Sequence, residues 1–117
     1  MLDRGLRELV ILRLAQVLES EYEWTHHLVA ARAAGVPEAK IAALARWRTE
    51  PEVYSDRERA ALLYAEGVAD GDVEEPAAAA LAAYFGPDEV VEVTVTAAFY
   101  AMVGRVLDAL AVPLDSV

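Results

Sequence analysis

The segment from Asp88 to Leu110 restricts the folds open to this chain more than any other. Val90, Val91, Val93, Val95, Phe99, Tyr100, Met102, Val103, Val106, Leu107 and Leu110 leave it almost no solvated stripe. As a helix it must be buried all round, either at the centre of the domain or against another subunit. A chain of 117 residues has few other helices to cover it. Leu9-Val10-Ile11-Leu12 repeats the demand near the start, and homo-oligomerisation is the simplest way to meet both. The longest apolar stretch, Val93 to Gly104, contains two threonines and is too short to span a bilayer.

Punctuation elsewhere leaves room for helices and little for strands. Asp3 caps a first helix in which Leu6, Leu9, Val10, Leu14 and Val17 recur at helical spacing. A break near Glu19-Ser20 opens a second helix, which Gly35 ends in a left-handed stop. Pro37 begins a short helix through Ile41 and Leu44 to Trp47, and a loop follows from Arg48 to Tyr54. Ser55-Asp56-Arg57-Glu58 has the spacing of a capping box for a helix reaching Asp70. Glu74-Glu75-Pro76 opens the next helix, stopped by Gly86, and Pro87-Asp88 opens the last. The expectation is one all-α domain of about six helices over residues 1–117.

Charge and cysteine content narrow the function. Twenty acidic residues against ten basic ones, with the arginines scattered, argue against nucleic acid or an anionic membrane as partner. The absence of cysteine removes disulfides, thiolate metal ligands and thiol redox chemistry. Met1-Leu2-Asp3-Arg4-Gly5 does not read as a secretory leader, so a cytoplasmic location is expected.

Against this alanine-rich background, Ser20-Glu21-Tyr22-Glu23-Trp24-Thr25-His26-His27 gathers both histidines, one of two tryptophans and two carboxylates. On a helix Ser20, Glu23 and His27 share a face, and a carboxylate beside an imidazole suits proton transfer. The bland alternative is a surface pair worth a few tenths of a kcal/mol. Ser20 serves equally as a helix cap, and Tyr22 and Trp24 as packing residues. His26 points about a hundred degrees from His27. Glu23-x-x-His26 matches the spacing of carboxylate-bridged di-iron bundles, but those need a second such motif. Arg105 and Asp108 interrupt the last apolar helix, as an i,i+3 pair, as a bridge across a subunit interface, or with Arg105 as a substrate anchor.

Taken in order, Glu8-Leu9-Val10-Ile11-Leu12-Arg13, Glu21 to His27, Ala33-Ala34-Gly35, Ser55 to Leu62 and Leu107 to Pro113 resemble the carboxymuconolactone decarboxylase family. That family shares a fold with alkyl hydroperoxidase D-like proteins. The resemblance implies an all-helical bundle assembling as trimers or hexamers, with its site near a subunit boundary. In the peroxidase branch the site resembles a glutamate, then Cys-x-x-Cys, then a histidine four residues on. Placing His27 on that histidine sets Glu23 on the second cysteine, Ser20 on the first and Glu8 on the upstream glutamate. Neither serine nor glutamate replaces a thiolate nucleophile and its resolving partner, so thiol peroxidase activity is not expected.

What the resemblance leaves is proton chemistry without a cofactor or metal. His27 would be proton donor or acceptor, Glu23 its partner and Glu8 an orienter or relay. Ser20, Tyr22, Trp24 and Tyr100 would line a site for a small carboxylated or lactone substrate. The reaction would be decarboxylation, isomerisation or lactone opening. A non-catalytic helical oligomer that binds a small ligand or scaffolds a partner is the rival expectation.

Overall fold

The most enclosed helix is the first one, not the last. In the computed structural model, which describes residues 1–113, α1 (Arg4–Val17) runs through the middle of the domain. Leu9, Val10, Ile11 and Leu12 are each at most 1% exposed. Around it stand α2 (Glu21–Ala33), α4 (Asp56–Asp70) and α6 (Pro87–Ala109), with α5 (Glu75–Tyr84) closing on α4 and α6. α3 (Glu38–Ala43) and a 3-10 helical stretch (Leu44–Thr49) bridge α2 to α4. No strand occurs among the described residues.

Two apolar clusters use opposite faces of α1. Leu6, Val10 and Leu14 pack with Ala61, Ala65, Leu81, Val93, Ala97 and Ala101 from α4, α5 and α6. Leu9 and Leu12 pack with Ala31, Ile41, Leu44, Trp47 and Leu62 on the other side. Alanine at so many contact positions lets the helices approach closely. At Gly104 of α6 an added Cβ would come within 3.2 Å of Leu18 Cδ1, so a larger residue there requires the Leu18 side chain to shift.

The expected caps carry the chain round its corners. Asp3 and Ser20 accept hydrogen bonds from the backbone of Leu6 and Glu23. Ser55 and Glu58 form a reciprocal capping box. Gly35 ends α2 at a φ of 86°, in the left-handed region. One helix departs from expectation: α3 does not continue regularly to Trp47 but tightens into the 3-10 stretch. Arg46 there sits at φ −126° and ψ 34°, outside helical geometry. This rewinding accompanies burial of the Trp47 indole, whose Nε1–H donates to Glu66 at 2.8 Å.

For the last helix the single chain removes one of the two expected surroundings, the domain centre. Val93, Thr96, Ala97, Ala101 and Gly104 face the core, but Val91, Val95, Phe99, Met102, Val106 and Leu110 are exposed. Their spacing of three and four residues makes one continuous apolar stripe. The chain therefore covers only one side of α6. At 23 residues, with mean hydropathy 1.6 over its most apolar window, α6 also has the length and composition of a bilayer span. That corrects the inference drawn from the uninterrupted stretch alone; its inner face is nevertheless part of the domain core.

Glu66 of α4 holds a buried polar cluster against α1. Its carboxylate accepts from Arg13 Nε at 2.6 Å, from the Trp47 indole and from Arg48. Burial pushes the Glu66 carboxyl up, but the hydrogen bonds from Trp47, Arg13 and Arg48 outweigh it and hold it below 4.5. Arg48 is largely exposed and adds little, so Arg13 and Trp47 carry the interaction. Glu66→Gln is expected to cost about 3 kcal/mol at neutral pH, because it leaves Arg13 poorly paired. A lowered carboxyl contributes fully above its unfolded value and loses its contribution as pH falls through the folded value. Urea melts of both proteins at pH 7 and in acid should therefore show the difference narrowing below pH 4.5.

Candidate functional site

Burying a carboxylate on the central helix obliges the fold to give it partners. Glu8 of α1 is 5% exposed and uses both oxygens. Oε1 lies 2.7 Å from His27 Nδ1, and Oε2 accepts from Arg7 Nη1 at 3.0 Å. His27 comes from the second turn of α2, whose start is fixed by the Ser20 cap. One turn earlier on the same face, Glu23 places Oε2 3.3 Å from His27 Nε2. That contact is within ion-pair range but lacks hydrogen-bond alignment, and Oε2 has no other partner among the described residues. Both ring nitrogens of His27 thus face a carboxylate, one engaged and one not.

The two glutamates stand in different surroundings. Burial pushes the Glu23 carboxyl up, and the charges of His27 and His26 pull it back only in part. Glu8 instead shares its charge with Arg7 through a direct ion pair. A carboxylate accepts and cannot donate, so Glu8 assigns the Nδ1 proton to neutral His27 and leaves Nε2 with its lone pair toward Glu23. In position Glu8 is the orienting partner, and Glu23 is the group held beside the free nitrogen.

Tyr100 of α6 closes the cluster. Its ring meets His27 edge to face, with centroids 4.9 Å apart, and Arg7 Cζ lies 5.7 Å above its centre. Phe99 continues this aromatic surface outward into the exposed stripe. Glu8, Glu23, His27 and Tyr100 are therefore brought together from α1, α2 and α6. Ser20 and Tyr22 are not in this group. Ser20 caps α2, and with Tyr22 lines a groove of about 240 Å³ that reaches Leu107 and Asp108 of α6. Tyr22 also meets the exposed His26 ring at a tilt, with centroids 4.4 Å apart. Trp24 packs against the cluster around Leu9 and Leu12.

Arg105 and Asp108 do not form the expected pair. Arg105 donates to the Ala69 carbonyl at 3.0 Å, meeting an orphan acceptor at the end of α4. Among the described residues no cluster of three or more carboxylates and histidines could hold a metal ion, and the Glu23-x-x-His26 spacing gathers no further ligands. Sequence reasoning missed Arg7. Neighbouring helix positions do not face one another, so only the buried Glu8 turning toward it shows the connection.

The model of the carboxymuconolactone decarboxylase family matches residues 1–67, the span that contains Glu8, Glu23 and His27. The chain belongs to that family. Its fold is also that of a crystal structure from Agrobacterium tumefaciens, with a TM-score of 0.85 and 25% sequence identity. The match covers 92% of this chain and 75% of the other, a protein of unknown function for which an antioxidant defence role of AhpD type has been suggested. No curated protein matches the chain in sequence. In this carboxymuconolactone decarboxylase family member, which has no cysteine, Glu23 and His27 stand on one face of α2 with Oε2 3.3 Å from Nε2. The expected tautomer can be read directly: ¹⁵N shifts of the His27 ring should report the proton on Nδ1 in the neutral form. A predominance of the Nε2–H form contradicts the assignment of Glu8 as orienter.

Proposed function

We propose that this family member is an enzyme that moves protons on a small carboxylated or lactone substrate without a cofactor. The observation that supports it best is the unpartnered Oε2 of Glu23, buried beside the free nitrogen of His27. A carboxyl kept above its ordinary value stays protonated further toward neutral pH, which suits a general acid. In a decarboxylation the carbon–carbon bond to the carboxylate breaks and its electron pair delocalises into a neighbouring carbonyl. The resulting carbanion takes its proton from Glu23 or from the His27 imidazolium. Isomerisation uses the same pair twice, removing a proton at one carbon and returning it at another.

Self-association belongs to the same reading. The exposed stripe of α6 runs past Phe99 to the edge of the Tyr100–His27 contact, so a second copy seated on it would cover that edge. Trimers or hexamers are proposed on this ground and on the family's habit. A second reading, a binding or scaffolding oligomer without chemistry, is favoured by one observation. The grooves described for the single chain are lined by residues other than Glu8, Glu23 and His27.

Deuterium exchange separates the two. In heavy water with γ-lactones bearing a carboxylate, the wild-type chain should wash deuterium into an acidic carbon, followed by proton NMR. His27→Ala should reduce that exchange by about a hundredfold or more while circular dichroism stays unchanged. Exchange by the variant at the wild-type rate rejects His27, and no exchange by an intact wild-type oligomer favours the second reading. For assembly, Val95→Asp or Phe99→Asp should shift the species seen by analytical ultracentrifugation without detergent to the monomer. A wild-type protein that is already monomeric there removes the proposed cover of α6.

A further inference from the structure

Resting on the acid–base reading, the geometry points to Arg7 as the residue that holds the carboxylate of the substrate. Arg7 and His27 bracket the same two groups: each takes one oxygen of Glu8, and each contacts the Tyr100 ring. A molecule gripped by Arg7 therefore lies next to the imidazole, with the Tyr100 and Phe99 rings as an apolar surface alongside.

Arg7 has the capacity for this. Its side chain is 40% exposed, and only Nη1 is used, in the bond to Glu8. Among the described residues its Nε and Nη2 donors carry no hydrogen bond, and the Nε hydrogen and one Nη2 hydrogen lie on one edge of the planar guanidinium. That edge matches a carboxylate in a two-pronged fashion, which an ammonium does not. The other cation considered for the task, Arg105, is committed to the Ala69 carbonyl. Glu8 then has two effects through its two oxygens, fixing the His27 ring and fixing Arg7. A ligand bound there is a small monocarboxylate or the carboxylated end of a larger molecule; a neutral amide loses the charge that pairs with the guanidinium.

The test uses the full chain, with benzoate as probe and benzamide as its neutral control, followed through the His27 ring resonances. Benzoate should shift them saturably and benzamide should not. Arg7→Gln should weaken benzoate binding about tenfold or more, and Arg7→Lys should recover part of the loss. Absence of saturable benzoate binding to the wild-type protein overturns the assignment. So does an Arg7→Gln variant, folded by its amide spectrum, that binds as tightly as wild type. The acid–base reading is judged separately, by the carboxyl titration of Glu23 and by deuterium exchange in probe-free and probe-saturated protein.

Discussion

Everything in this domain is arranged around one largely enclosed helix that still carries charge. α1 must pack apolar side chains in all directions, yet Glu8 and Arg13 lie on it, and neither can be buried alone at acceptable cost. Each is satisfied from a different neighbour. Arg13 takes Glu66 of α4, and Glu8 takes His27 of α2. These two pairings set the register of α4 and α2 against α1, because sliding either helix by one residue would strand a buried ion. The contact that orients His27 is thus also part of what docks α2. Variants at Glu8 should be interpreted with that double duty in mind, whereas Glu23, with its idle oxygen, carries no such docking role.

In the proposed reading, a site of this family without thiols keeps its geometry and works by proton transfer. Ser20 stands where the peroxidase branch resembles a first cysteine, and here it spends its hydroxyl on the backbone of Glu23. Glu23 stands at the second and reaches the histidine that follows one turn later. The helical spacing that would have brought sulfur to imidazole brings a carboxyl instead. A carboxyl in that place exchanges protons and cannot exchange electrons, and burial tunes it toward holding its proton.

Much of this was legible in the chain before any coordinates. Asp3, Ser20, Ser55-Asp56-Arg57-Glu58 and Gly35 carry local backbone requirements, so their signals survive in any tertiary setting. The grouping of Glu8, Glu23 and His27 followed from helical spacing together with the family resemblance. What composition could not reveal was which apolar helix occupies the centre. α6 is richer in valine, but α1 is the one enclosed, because enclosure depends on which neighbours the turns deliver and not on hydropathy. The break after Ala43 was hidden for a similar reason: Trp47 is drawn inward by Glu66, nineteen residues away in sequence. Arg105 drew notice as a cation in an apolar helix and Arg7 did not, and only the directions of Glu8 and of the Ala69 carbonyl show which of the two has donors to spare.

Charge bookkeeping links the proposed anchor to the proposed acid. Arg7 and Glu8 compensate each other, so a carboxylate that docks on Arg7 adds a negative charge to a cluster that already contains Glu23. In a poorly solvated setting that addition disfavours the ionised form of Glu23 and favours a proton on it or on His27. Binding would then prepare the donor. The same carboxylate would lose its hold if the proton were transferred too early, since the negative charge would return to Glu23. In the proposed reaction, proton delivery to carbon moves the negative charge of the carbanion onto Glu23 or neutralises the His27 imidazolium, so the pair must be reprotonated from solvent before the next turnover.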